Sequence, residues 1–254
     1  MTDFSNALLE RYVLPEKMTE QIYYCLFGSG KRLRMNLLLD VARHFGQIDE
    51  NIERLAVALE LVHTYSLVHD DLPSMDNDDY RRGKPSCHKR FGDDLAILTG
   101  DALLNYAMQI LAKGKSSQEY LDSISRLFES SGENGMIFGQ IIDLKNDCSN
   151  FEDYKLICAN KTSALFKASL TIPLIYFKAD KTILQEYLQM ADDFGLAFQI
   201  WDDLSETDIE VTSILNFFTV NQARETLNKL IKKIKKYDFL PTISSTLELF
   251  EKNN

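Results

Sequence analysis

The chain has 254 residues, 45% of them hydrophobic, and 38 Asp and Glu outweigh 28 Lys and Arg to give a net charge of −10. That length can bury one large core, and the charge argues against a nucleic-acid partner. The four cysteines (Cys25, Cys87, Cys148, Cys158) form no CxxC pair or zinc spacing, there is no basic-then-apolar leader, and no uncharged apolar run approaches the ~18 residues of a membrane span. A cytoplasmic protein with reduced thiols is expected. Proline and glycine are few, no linker or repeat interrupts the chain, and one domain over 1–254 is predicted.

The first informative segment is Gly28-Ser29-Gly30-Lys31-Arg32-Leu33-Arg34, which leads into the apolar stretch MNLLLDVA. It lacks the spacing and the Lys-Ser/Thr ending of a Walker A loop. Cations at a helix N-terminus oppose the macrodipole. An anion held jointly by the helix end, Lys31 and Arg34 accounts for their presence. Next, Ile52, Leu55, Ala56, Leu59, Val62, His63 and Ser66 follow helical spacing. His63 lies about two turns before Asp70 on the same face, and is either a core residue or a ligand. This helix ends in Asp70-Asp71-Leu72-Pro73-Ser74-Met75-Asp76, where Pro73 bulges the chain so that Asp70 and Asp76 can converge. Arg81-Arg82-Gly83-Lys84 follows; beside such acidic neighbours this basic turn can close over an anion.

Helical periodicity continues through 94–112, 118–131, 151–177, 182–204 and 221–236, with Pro173 expected to kink or break its helix. Useful strand alternation is absent. Helices 55–70, 94–112 and 187–204 are apolar on most of their circumference, as the centre of a large bundle requires, so the fold class is all-α. Gln199, Asp202, Asp203 and Glu206, at i, i+3, i+4 and i+7, present a stripe of oxygen ligands. Asp193, about 180° from Asp202, is assigned to solvent. Carboxylates at the buried end of a helix are costly unless paired, hydrogen-bonded or metal-bound. Two such clusters suggest a divalent metal between acidic walls. Magnesium takes one or two carboxylates and completes its shell with water and phosphate oxygens, so a diphosphate is the expected ligand. A second diphosphate would then be held directly by the cations.

These segments resemble the short-chain polyprenyl diphosphate synthases, most of all the bacterial farnesyl diphosphate synthases. The matching pieces are GSGKRLR at 28–34, HTYSLVHDDLPSMDNDDYRRGKPSCH at 63–88, GDALL at 100–104, GQIIDL at 139–144, KTSALF at 161–166 and GLAFQIWDD at 195–203. The resemblance implies an all-α bundle around a deep central cavity, commonly dimeric, so a homodimer is expected. It implies that Lys31, Arg34, His63 and Arg82 hold isopentenyl diphosphate, and that Asp70, Asp71, Asp76 and Asp202 are magnesium ligands. Arg81, Lys161, Thr162 and Gln199 would contact the allylic diphosphate. About three magnesium ions are expected with substrate bound, and manganese could substitute. Tyr65, beside the small Ser66, would floor the cavity and set product length at farnesyl.

In the implied reaction, Arg81, Lys161 and metal neutralise the departing diphosphate and the allylic C–O bond ionises. The isopentenyl double bond then attacks the cation in a water-free cavity, and a proton is lost to the released diphosphate. Three departures stand out. Met35 occupies the position of the family's proline, and Glu206 replaces the aspartate that ends the second motif. The glycine- and lysine-containing loop of the family is missing after Asp208, where IEVTSILNFFTVNQARETL follows at once. Either the loop has been lost or the sequence omits a stretch; helices matching on both sides favour omission. Alternatives are a geranylgeranyl diphosphate synthase, a non-catalytic partner subunit, and a class I terpene cyclase. The cyclase has no need of the second, cationic pocket.

Overall fold

Helices form wherever apolar residues recur at helical spacing. The computed structural model describes residues 2–13, 19–28, 30–145, 148–205 and 212–252. Along these run α1 (Thr2–Val13), α2 (Glu20–Leu26), α3 (Leu33–Phe45), α4 (Glu50–Asp70), α5 (Cys87–Phe91), α6 (Asp93–Leu111), α7 (Gln118–Ser131), α8 (Met136–Leu144), α9 (Phe151–Ile157), α10 (Ser163–Tyr176), α11 (Lys181–Ser205), α12 (Val220–Ile234) and α13 (Pro241–Lys252). The only strands among the described residues are a two-residue antiparallel pair, β1 (Tyr80–Arg81) and β2 (Lys84–Pro85). Its turn uses positive φ at both central positions, Arg82 (56°) and Gly83 (76°), the geometry that suits a tight hairpin. The all-α expectation holds. No described helix is long and apolar enough to cross a membrane.

Helix α4 starts where the Asp49 side chain accepts from the Ile52 N–H at 2.9 Å, a cap worth about 1 kcal/mol. Its apolar residues are buried around most of the circumference, from Ile52 to Val62. It packs along α6 and also meets α3 and α10. Two apolar clusters fill the interior, and α3 and α10 contribute to both: Leu38 and Leu165 to one, Leu37 and Phe166 to the other. The Met35 side chain is fully buried in the core.

Three sequence expectations need correction. Helix α6 turns Ala96, Leu103, Ala107 and Ile110 inward but leaves Leu95, Ile97, Leu98 and Met108 exposed, so it is not a central helix. The segment 151–177 is helical but not uniform, because a π turn at Cys158–Thr162 interrupts it. Pro173 does not break α10, which continues to Tyr176. Asp193 is not simply solvated: Lys233 of α12 covers it at 3.2 Å and its side chain is only 15% exposed. Glu206 and Asp208, with the expected loop deletion or omission, lie outside the described residues.

Candidate active site

The ends of α3, α4, α10 and α11 surround a cavity of about 740 Å³. Lys31, Arg34, His63 and Arg82 line it together with Asp70, Asp76, Arg81, Lys161, Thr162, Gln199 and Asp202, and Tyr65 and Ser66 face the same space. Of the candidates from the sequence, Asp71 and Asp203 do not border this cavity and Glu206 lies outside the described residues; the others all line it.

On the cationic side, Arg34 enters from the first turn of α3. Its Nη1 lies 3.1 Å from His63 Nε2, and its guanidinium sits 4.4 Å over the Phe166 ring. Burial pulls its pKa down to about 10, and its buried Nε has no hydrogen-bond partner. Burial and the neighbouring Arg34 and Arg82 push His63 well below the usual histidine range. His63 is thus neutral and accepts from Arg34. The Arg82 guanidinium packs close over Gly30, where a Cβ would lie 2.3 Å from Nη1. Beneath them is a pair that sequence reasoning passed over. Arg32 is fully buried and meets Glu60 of α4 at 3.1 Å. Removing either partner would strand a buried charge, at a cost of about 3–5 kcal/mol. Only the oddity of an arginine before an apolar helix and a glutamate inside one hinted at this pair. Cations with few carboxylate partners, gathered in a concave wall, can bind a polyanion.

On the acidic side, the Asp76 N–H donates to the Asp70 carbonyl at 2.9 Å, which folds the intervening loop back and brings the two carboxylates together. Lys161 Nζ stands 3.9 Å from Asp70 and 3.8 Å from Asp76. Burial lifts the Asp70 carboxyl to about 7, with Lys161 opposing the shift. Burial and Asp203 also raise Asp202 across the cavity. Burial pulls the Lys161 ammonium down, but Asp70, Asp143 and Asp76 outweigh it and the net shift is upward. The π turn re-aims this stretch so that both Lys161 and Thr162 face the cavity, a common placement for such bulges. Thr162 Oγ1 donates to Gln199 Oε1 at 2.9 Å.

The second aspartate of each Asp-Asp pair is structural, which corrects two sequence expectations. Asp71, expected as a metal ligand, is buried behind the cavity, where Arg81 Nε donates to it at 2.8 Å and Arg81 Nη2 also reaches it. Asp78 takes a further bond from Nη2 at 2.8 Å, so the two acids aim the Arg81 guanidinium. Asp203, expected in the ligand stripe, accepts from Tyr154 OH (2.9 Å), the Ile214 N–H (2.8 Å) and Gln199 Nε2 (3.0 Å). Its oxygens are spent on anchoring the chain that follows α11.

Helix α8 supplies residues not singled out as site groups from the sequence. Gln140 Nε2 donates to Asp70 Oδ1, and Asp143 accepts from Lys161. The GQIIDL piece carried the signal, without saying what each residue touches. Among the described residues, no three His, Cys, Asp or Glu side chains come close enough to hold a metal ion on their own. The donor set still fits magnesium, which needs only one or two carboxylates beside water and phosphate. Asp70, Asp76 and Asp202 are hard oxygen donors facing the cavity, and the high pKa of Asp70 marks a buried carboxylate short of positive charge.

Comparison with known proteins agrees with this geometry. Residues 15–211 match the polyprenyl synthetase family model. A farnesyl diphosphate synthase of Geobacillus stearothermophilus is 39% identical over 211 residues, which cover 81% of this chain and 70% of that protein. A chloroplastic geranylgeranyl pyrophosphate synthase of Catharanthus roseus is 38% identical, over 78% of this chain and 58% of its own length. The solved apo structure of an FPP/GFPP synthase from Zymomonas mobilis superposes with a TM-score of 0.84 at 34% identity, covering 97% of this chain and 92% of that one. A matching family model over most of the chain, relatives near two-fifths identity and a shared fold lead to one conclusion: the chain belongs to the polyprenyl synthetase family.

Proposed function

We propose that the chain acts as one unit, condensing an allylic diphosphate (dimethylallyl or geranyl) head to tail with isopentenyl diphosphate, with farnesyl diphosphate as the main product. The observation that supports this reading is a single cavity lined both by a group of cations, with Arg34 against His63, and by the carboxylates Asp70, Asp76 and Asp202 with Lys161. Asp70, Asp76 and Asp202 would hold magnesium, which when bound neutralises charge on the leaving diphosphate. Arg81, aimed by Asp71 and Asp78, and Lys161 add fixed positive charge where that anion develops. Thr162 and Gln199 orient it. Lys31, Arg34 and Arg82 bind the isopentenyl diphosphate, and neutral His63 fixes the Arg34 fork so that the double bond is presented to the allylic carbon. The apolar flank of the cavity, including Leu165, Met136 and Phe198, excludes water from the cation. In this reading the released diphosphate takes the proton.

The exposed apolar side chains of α6 support a homodimer, since Leu98 is 60% and Met108 46% exposed on a helix whose other side is core. The catalytic reading is tested by Asp70→Ala and Asp202→Ala. Each is expected to lower turnover at saturating magnesium by on the order of 10²-fold or more, with the thermal midpoint maintained. An unchanged rate in either variant would remove that residue from the site.

A further inference from the structure

We propose that Asp143 is a positioning residue that holds the Lys161 ammonium off Asp70 and Asp76, and that Thr212 completes the device from the segment returning after α11. The proposal deepens the reading of this end of the cavity as a metal-diphosphate site and rests on it. Three carboxylates surround Lys161 Nζ, but not equally. Asp143 Oδ2 is at 2.7 Å, a charge-assisted hydrogen bond, whereas Asp76 and Asp70 stand at 3.8 and 3.9 Å, beyond that range. Without Asp143, nothing would balance the pull of the other two, and the ammonium would settle on the oxygens that a divalent cation needs. Asp143 thus keeps a positive charge close enough to meet a diphosphate and far enough away to leave its carboxylate neighbours open.

The carboxylate is itself fixed. Its other oxygen accepts from Thr212 Oγ1 at 2.6 Å, so both oxygens are engaged and the group cannot swing into the cavity. Helix α8 sets the spacing from its own backbone. A Cβ on Gly139 would lie 2.1 Å from Lys161 N, so only glycine lets the two backbones approach this closely. One turn later on the same helix comes Asp143, and Gln140 between them donates to Asp70. A single helix therefore holds both partners of the Lys161–Asp70 pair apart. Thr212 lies in the short return toward Ile214, which Asp203 also anchors. This chain therefore links the region beyond its second acid cluster to Lys161 by way of Asp143.

Trp201, the sole tryptophan, borders the cavity and can report binding without turnover. Wild type, Asp143→Asn and Thr212→Val are titrated with magnesium at fixed inorganic diphosphate while Trp201 fluorescence is followed, and thermal midpoints are recorded separately. Asp143→Asn is expected to raise the half-saturating magnesium concentration by about ten-fold or more, and Thr212→Val by about three-fold, as a charge-assisted bond and its support would. Steady-state kinetics should show a larger KM increase for the allylic than for the isopentenyl substrate. Wild-type magnesium midpoints in both variants, or lower thermal midpoints with no change in magnesium dependence, would overturn the positioning role. If Asp143→Asn does not fold, Thr212→Val decides alone. Failure of the wild type to bind diphosphate with magnesium would instead defeat the underlying site reading.

Discussion

Arg34 keeps a guanidinium buried, with one nitrogen unpartnered and its pKa pulled down to about 10. Such a group is costly to the fold and is explained by what it binds. Arg34→Ala is expected to raise the KM for isopentenyl diphosphate by about ten-fold or more, as loss of a charge-assisted contact does. The allylic KM should change less and the thermal midpoint should not fall; initial-rate kinetics with each substrate varied would check this, and equal effects would contradict the division of the cavity. His63 gives a pH signature. Its folded pKa lies well below the ordinary 6.5 because of burial and the adjacent arginines. Between these values the unfolded histidine binds more protons than the folded one, so the contribution of His63 to stability falls as pH drops below about 6.5. His63→Asn should flatten that part of the pH-stability curve, measured by thermal denaturation from pH 7.5 to 5. The Asp-Asp pairs show what could be read at this scale. Neighbours on a helix point about 100° apart, and in each pair only the one that faces the cavity lacks a full set of protein partners: Asp70 and Asp202 line it, Asp71 and Asp203 do not. The sequence expected ligand oxygens at Asp70, Asp71, Asp202 and Asp203; the structure brings Asp70 and Asp202 to the cavity, while Asp71 is held by Arg81 and Asp203 by Tyr154, Gln199 and the Ile214 N–H.

Helix α4 lends the cavity Glu60, His63, Tyr65, Ser66 and Asp70 in order. Tyr65 is almost fully buried and meets His69 edge-on at 5.9 Å, while His69 packs on α6 where Gly100 has no Cβ to obstruct it. Tyr65 is therefore backed by a second helix. Tyr65 lies about 7.5 Å along the axis from Asp70, and Ser66, bonded to the His63 carbonyl at 2.9 Å, fills little space beside it. Tyr65→Ala should lengthen the product beyond farnesyl, read as chain length of the prenyl alcohols after phosphatase treatment. A soluble, active variant that still stops at farnesyl would show that Tyr65 is not the floor. Long periodic helices such as α4, α7 and α11 were legible in the sequence because a core face repeats over many turns. Helix α8 was not, since nine residues carry too little periodicity and four of its six apolar side chains are exposed. Helix α6 misled for a related reason: its apolar residues exceed what the bundle itself buries.

At the scale of the whole molecule, the bundle brings the loop before α3, the end of α4 and the end of α11 around one cavity. Segments more than a hundred residues apart thereby become two walls of one site. That convergence was legible because buried carboxylates and helix-start cations are both unfavourable alone and favourable around a diphosphate and its metal. The links between walls were not, for the contacts Asp143–Lys161 and Asp143–Thr212 depend on how α8 packs rather than on spacing within any segment. The central claim is that one cavity joins an allylic and an isopentenyl unit and stops at a set length. The most direct measurement is incubation of the wild-type chain with dimethylallyl and isopentenyl diphosphates and magnesium, followed by phosphatase treatment and chain-length analysis of the alcohols. Farnesol as the main product is the predicted result; no condensation product, or a cyclised hydrocarbon in its place, would contradict the account.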